Sequence, residues 1–405
     1  MTEKAPRLRR DLEFITVQQG VRKMVIVRDQ LGLIPEGKAV DLSVYRILTL
    51  LDGTKTIRDL QMELMRQRGG VLVGSEEVAS LLSDLDDSYL LDSERYRKFK
   101  EQMILKFAAE KIRPCFLCGR SYPNNALELK QTLDNILAKQ KTSKNVEGKI
   151  RAIVAPHIDL STGANVYAYA YGVLSGVRPC CVIVLGIGHH MTGGMFCLTE
   201  KDYATPLGVV RNETAAVDRL KRAGSSIIVA HDFEHRSEHS IEFQILFLQH
   251  LLGTETFTAV PILCGSLMAN LTDYSRSAYL KKAGLFLNEL KNLLQEREEE
   301  VLIVVGADFS HIGPKFGHDR PAAYMESTAE AHDKKLLDAL CEMDADVFWE
   351  ESRKVEDRFN VCGFPALACL LEVLPSSKGT VLGYQMRHEA ATQSAVSFSA
   401  VVFTQ

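Results

Sequence analysis

The sequence predicts an α/β fold, a mostly parallel sheet flanked by helices, preceded by a small α+β domain. Three observations carry this reading. Short, almost continuously apolar runs lie at Ile150–Ala155, Val182–Leu185 and Val301–Val305, as strands buried on both faces do. Helical patterns separate them, at Gly163–Leu174, Ala215–Arg222 and Ile241–Leu252, and alternating strands and helices point to a parallel sheet. Ahead of these, a hairpin-like pair and three short helical patterns stand apart within residues 12–91.

Composition permits two domains and points to no special environment. The chain has 405 residues, 46% apolar and 25% charged, with a net charge of -4, which is ordinary for a globular protein and gives no hint of a nucleic-acid surface. No apolar segment is long enough to cross a bilayer. The start, Met1 to Arg10, has no apolar core behind its charges, so no secretory signal is expected. Nine cysteines, odd in number and without framework spacing, predict free thiols in a reducing cytoplasm.

In the amino-terminal third, Leu12–Val17 and Met24–Arg28 flank Gly20 as in a hairpin. Asp41 is placed to cap a helix carrying Leu42, Tyr45 and Leu48, stopped at Gly53. Thr56 is placed to cap the next, with Ile57, Leu60 and Leu64, stopped at Gly69-Gly70. Ser75 precedes the third, with Val78, Leu81, Leu82 and Leu85 at helical spacing, and Tyr89–Leu91 reads as a closing strand. A hairpin with three short helices is a winged-helix-like unit. Its third helix carries Glu76, Glu77, Asp84, Asp86 and Asp87, which a phosphate-lined groove would repel, so no nucleic-acid partner is expected. The arrangement resembles the PqqD-like fold, a peptide-binding module, and implies peptide or protein docking here. The domains are read as 1–97, a helical linker at 98–113, and 114–405. Cys115 and Cys118 form a lone C-x-x-C, read as structural because neither a second pair nor a thioredoxin context accompanies it. Residues Leu127–Ala138 follow as an amphipathic helix, and Lys139–Lys149 as a polar turn.

Each apolar run of the larger domain delivers a histidine just past its end: His157 in Pro156-His-Ile-Asp159, His189 and His190 after Gly188, and His311 in Gly306-Ala-Asp-Phe-Ser-His311. In open α/β sheets ligands bind outside the carboxyl ends of the strands. Three turns with one placement therefore point to a shared site. Two neutral imidazoles and one anion suit iron, zinc or copper. The candidate anions are Asp159, Asp308, Glu238, Glu242 and any cysteine in reach. In Glu238-His239-Ser-Ile-Glu242, His239 and Glu242 share a helix face, and the carboxylates either cap the helix or steady the histidines. Cys362, on a turn before Gly363-Phe-Pro365 and a helix at Ala366–Val373, is the favoured thiol, with a pKa lowered by the helix amino terminus. Phe257–Leu263 and Ala395–Phe403 complete the strand candidates.

The segments Ala155-Pro-His157, Leu185-Gly-Ile-Gly-His-His190, Glu238-His-Ser-Ile-Glu242, Ala307-Asp-Phe-Ser-His-Ile-Gly313 and Val361-Cys-Gly363, with Cys118-Gly-Arg-Ser-Tyr-Pro123 before them, resemble the Memo family in order and spacing. Its bacterial and archaeal members are called AmmeMemoRadiSam system protein B. The resemblance covers about residues 112–405. It implies a fold similar to that of the class III extradiol dioxygenases, which use non-haem Fe(II). Carried onto this sequence, it implies His157, His189 and Cys362 as metal ligands, His311 as the acid–base histidine, and His190 and Asp308 as pocket residues. Glu238, His239 and Asp159 are read as pocket or supporting groups. The dioxygenases use a carboxylate where this chain offers a thiolate, which suits Zn(II), Cu(I) or Fe and is itself oxidisable.

Three functions compete. The first is metal-dependent redox chemistry on oxygen or a small substrate, with non-haem iron first and copper or zinc as alternatives. The second is a binding protein for a peptide or partner, acting with the AMMECR-type and radical SAM proteins that the resemblance implies. The third is a zinc hydrolase.

Overall fold

A computed structural model describes residues 4–19, 22–140, 146–297 and 300–405. The chain divides into two compact units: Met1–Phe107 with Ala390–Gln393, and Ala108–Glu389 with Ser394–Gln405.

The smaller unit is built from β1 (Leu12–Gln19), β2 (Arg22–Asp29), β3 (Ala39–Asp41), α1 (Leu42–Leu50), α2 (Ile57–Gln67), α3 (Ser75–Asp87) and α4 (Glu94–Ala109). The strands form one antiparallel sheet in the order β1-β2-β3. Gly20, expected at the hairpin turn, and residues 141–145 of the expected polar turn lie outside the described residues. Val27, Leu48, Leu60, Leu64, Val78 and Leu85 close its core. Thr56 caps α2 in a reciprocal capping box with Asp59, as expected of that pair type. Asp41 precedes α1 without a side-chain cap bond. Tyr89–Leu91 is not a strand, because Leu91 alone bridges, to Leu8. The buried Arg9 guanidinium donates to Asp29 at 2.7 Å and Asp11 at 3.0 Å. The helix expected from Lys98 begins at Glu94 and ends at Ala109.

The larger unit continues with β4 (Ile112–Arg113), α5 (Ala126–Leu137), β5 (Ile150–Ala155), α6 (Ala164–Gly172), β6 (Cys181–Ile187), β7 (Phe196–Leu198), β8 (Asp202–Thr205), β9 (Gly208–Asn212), α7 (Thr214–Ala223), α8 (His239–Leu252), β10 (Thr258–Cys264), α9 (Leu267–Asn270), α10 (Arg276–Glu296), β11 (Val301–Gly306), β12 (Asp308–Ile312), α11 (Glu326–Cys341), α12 (Ala345–Lys354), α13 (Phe364–Val373), β13 (Lys378–Glu389) and β14 (Ser394–Thr404). The sheet runs β12-β14-β5-β11-β6-β10-β9-β8-β4. Its centre, β5-β11-β6-β10, is parallel, while β14 joins β5 antiparallel and β12 and β13 join β14 antiparallel. The two cores explain the apolar runs. Ile183, Leu185 and Ile187 of β6 face one core, and Val182 and Val184 face the other. No helix among the described residues is long and apolar enough to cross a membrane.

Cys115 and Cys118 form a disulfide, and the other seven cysteines are free. The tight loop brings the two Cα atoms within 5.8 Å, inside the range a disulfide spans, so the expectation of nine free thiols is corrected at this pair.

Glycine is required where α8 meets the sheet. A Cβ on Gly306 would stand 2.3 Å from the Ser240 carbonyl oxygen and 2.7 Å from the Gln244 Nε2. Gly306→Ala is therefore expected to cost about 1–3 kcal/mol through overpacking, measured as a lower urea midpoint of the larger unit. An unchanged midpoint would contradict this close approach.

Asp333 on α11 fastens the antiparallel edge. It is buried and accepts from Ser310 Oγ at 2.6 Å, Tyr384 Oη at 2.8 Å and the Ser397 hydroxyl. Burial holds its carboxyl up, at about 6, against these donors. An unfolded aspartate titrates near about 3.9. Between these values the native state holds a proton that the unfolded chain has released, so stability falls as pH rises through the window. The unfolding free energy of wild type minus that of Asp333→Asn should fall by up to about 1.4 kcal/mol per pH unit there and level off above about 6. A difference that is flat throughout would show an Asp333 that titrates normally.

Candidate metal centre

The adjacency of β5, β11 and β6 places three loop starts side by side. His157 follows β5 and His189 follows β6, as expected. His311 departs from the expectation of a turn, because Asp308 to Ile312 form β12, pairing with β14. Only Ala307 stands between β11 and β12, and the chain runs on in the same direction but leaves β5 to pair with β14.

The start of α8 braces these ends. Ser240 Oγ accepts from the Ile187 amide at 2.9 Å and donates to its carbonyl at 3.0 Å, which fixes the end of β6. Gln244 Nε2 donates to the Pro156 carbonyl at 3.0 Å, which fixes the end of β5. Glu238 is the N-cap of the helix, and its Oε1 accepts from the amides of His239 at 2.8 Å and Ser240 at 3.0 Å. A carboxylate here answers both the unpaired amides and the helix dipole.

Glu238 also holds the histidines. It accepts from the His189 amide and Nδ1, each at 3.1 Å, and the His239 Nδ1 lies 3.1 Å from its Oε1. Burial alone would raise the Glu238 carboxyl, but the His189 and His239 rings outweigh it and hold the carboxyl well below its usual range. Burial likewise opposes charge on His189, yet the Glu238 carboxylate and the Cys362 thiol lift the imidazole well above its usual value. The buried His157 donates from Nδ1 to the Gly306 carbonyl at 3.0 Å, and its amide donates to Asp308 Oδ1 at 3.0 Å. Burial and the neighbouring His189 and His239 rings push it well below the usual imidazole range. With Nδ1 committed in both rings, the Nε2 atoms of His157 and His189 remain for a ligand, the arrangement that metal-binding histidines use.

Cys362 enters from the turn before α13. Its Sγ lies 3.4 Å from the His157 Nε2 and 3.7 Å from the Asp308 carbonyl oxygen. One donor atom each from His157, His189 and Cys362 lies within 4.8 Å of the others. Gly363 permits this approach, since a Cβ there would meet the Asp308 carbonyl oxygen at 2.4 Å. The expected lowering of the Cys362 thiol is reversed. Burial and the nearby Asp308 raise it above its ordinary value, against the pull of His189.

Asp308 is buried, and its Oδ2 lies 3.6 Å from the His157 Nε2. Burial raises its carboxyl to about 6. His311 donates from Nδ1 to the Phe309 carbonyl at 2.9 Å. Burial lowers its imidazole to about 4, against the pull of Asp308. A raised acid beside a lowered base is the pattern from which acid–base pairs are made. His189 and Cys362 line a pocket of about 210 Å³ with Ser266, Tyr274, Asp357 and Asn360.

Other expected residues fall elsewhere. Asp159 is exposed and its Oδ1 accepts from Ser161 and Thr162, so it forms the turn into α6. Glu242 pairs with the buried Arg113 and accepts from the Leu117 amide at 2.9 Å and Tyr122, so it is a structural anchor. His190 stays half-buried on the His189 turn. His239 comes nearer than a supporting role implies: its ring stacks on His189 with centroids 4.9 Å apart and meets His157 edge-on at 5.3 Å. Ser240, Gln244 and Asp357 were not singled out in the sequence. Adjacency to His239 marks Ser240, but no local pattern marks Gln244 or Asp357.

Residues 113–402 match the family described as Memo-like protein. A protein of Aquifex aeolicus named MEMO1 family protein is 30% identical over 93% of this chain and 95% of its own length. Another of that name, from Nitrosopumilus maritimus, is 27% identical over 72% of this chain and 99% of its own. A solved structure of an uncharacterized Escherichia coli K12 protein aligns over 63% of this chain and 99% of its own, at 15% identity and a TM-score of 0.38.

The role of Glu238 is open to a direct check. In metal-free protein, Glu238→Gln removes the charge that sustains protonated His189. A raised histidine stabilises the fold fully below its unfolded pKa, and that stability is lost as pH rises through the folded value. The variant should lose this contribution, and the His189 ring resonances should titrate at lower pH than in wild type. Its affinity for Zn(II) should fall about 10–100-fold. An unmoved His189 titration would disprove the assignment.

Proposed function

The chain belongs to the Memo-like protein family, and on that footing we propose that His157, His189 and Cys362 hold a transition-metal ion, iron first, for redox chemistry on a small substrate. The observation that carries this reading is the convergence of three donor atoms from remote segments, with both imidazoles committed at Nδ1. Two nitrogens and a soft sulfur suit Fe, Cu or Zn better than the hard cations. Bound iron would supply one-electron chemistry and Lewis acidity.

The chain's own residues prepare the site for this. Glu238 and the Gly306 carbonyl orient the two imidazoles before binding, so little reorganisation is needed. The His189 and Cys362 protons must leave as the metal enters, so affinity rises with pH. In this reading His311, held neutral by burial, accepts a proton from a substrate and Asp308 returns one. The pocket over His189 and Cys362 admits a small molecule.

Metal content after anaerobic purification tests the proposal. Wild type should carry iron, and His157→Ala and Cys362→Ser should carry little or none, while His311→Gln retains it. Equal metal in wild type and the two ligand variants, or no metal in any preparation, overturns the proposal. Zinc in every preparation would move the reading to metal-assisted hydrolysis.

A further inference from the structure

We propose that the Cys115–Cys118 disulfide is a thiol–disulfide exchange site whose state is read at the His157–His189–Cys362 centre. The second half of this rests on the metal reading above; the exchange itself does not.

Two observations set this pair apart from an inert crosslink. The first is its surroundings. Both cysteines are half-buried at the surface. The Arg120 and Arg236 guanidinium groups stand 5.1 Å and 5.7 Å from the ring centroid of Phe116, between the two sulfurs in sequence. They put positive charge over the loop that the disulfide closes, and positive charge close to a cysteine favours its thiolate form and its departure.

The second is its connection. The amides between the two cysteines, Phe116 at 3.1 Å and Leu117 at 2.9 Å, both donate to the buried Glu242 carboxylate. Glu242 pairs with Arg113, whose Nε donates to the His235 carbonyl at 2.8 Å and Nη2 to the Glu238 carbonyl at 2.9 Å. Glu238 in turn holds His189 and His239. The disulfide closes the loop that supplies Glu242 with its amides, and one arginine carries that order to the residue orienting a proposed ligand. Arg113, Glu242 and Glu238, through which these links run, are buried, where a lost partner is costly.

The exchange balances without a cofactor. A thiolate of a small thiol or a dithiol protein attacks one sulfur, the Cys115–Cys118 bond breaks, and a mixed disulfide forms. A second thiolate releases it, leaving both cysteines reduced and the partner oxidised, with two electrons and two protons transferred to this chain. Reduction frees the loop, and the amides of Phe116 and Leu117 are then held less firmly on Glu242.

The test uses full-length protein equilibrated in dithiothreitol and in glutathione redox buffers. Alkylation of the peptide carrying Cys115 and Cys118 is read by mass spectrometry, and Co(II) affinity is titrated after the buffers are removed. The pair should convert as one two-electron couple, and the reduced form should bind Co(II) about three- to tenfold more weakly. Cys115→Ser/Cys118→Ser should show the reduced affinity in every buffer, which separates this pair from Cys362. A mixed disulfide with glutathione supports small thiols as reductants, and conversion by dithiothreitol alone supports a dithiol partner. Both cysteines alkylated even in the most oxidising buffer, or equal Co(II) affinity in both states, overturns the proposal. If neither state binds Co(II), the metal reading fails, and the ring resonances of His189 decide instead: movement on reduction supports the link, and none refutes it.

Discussion

One carboxylate, Glu238, carries the arrangement of the site. It caps α8 through two backbone amides and holds the His189 ring and backbone. Each task alone would favour an acidic residue; together they tie the helix start to the loop after β6. The carboxylate is buried, so its charge must be answered within the protein. The amides and the His189 and His239 rings answer it. An amide in its place would keep the shape and lose the charge, and His189 would no longer be held in one orientation by an ionic partner.

The rest of α8 extends this logic along the sheet. Ser240 and Gln244 fix the ends of β6 and β5, and Gly306 lets β11 close against them. Glu242 faces away from the centre and anchors the loop that begins the larger unit. One helix therefore sets the positions of three strand ends. The candidate histidine ligands stand on the turns just past two of these ends, and hydrogen bonds to Glu238 and the end of β11 hold the two imidazoles.

Much of the fold was legible because burial on both faces leaves a continuous apolar run. Ile183 and Val184 point into different cores, so neither position tolerates a polar residue. The antiparallel edge was less legible. β13 alternates weakly and stays largely half-buried, and β12 follows β11 with only Ala307 between them. The candidate ligand trio was legible in part. His157 and His189 follow from the strand-end rule, whereas Cys362 comes from a distant turn that only its fit to a family motif selected. The helix start after Cys362 predicts a lowered thiol, and the burial that raises it leaves no mark in the local sequence. Glu242 and Arg113 pair across more than a hundred residues, a contact no local pattern carries. The Aquifex relative aligns over 93% of this chain, beyond residues 113–402 of the family match, so the likeness extends into the amino-terminal part.

The central claim is that two imidazoles and one thiolate bind a single metal. X-ray absorption at the zinc edge of the zinc-loaded protein addresses it most directly. Zinc–sulfur and zinc–imidazole distances differ enough to be separated, at about 2.3 Å and about 2.0–2.1 Å. The spectrum should require one sulfur neighbour beside nitrogen neighbours, and the sulfur should vanish in Cys362→Ser. A shell of nitrogen and oxygen alone in the wild-type protein would contradict the account.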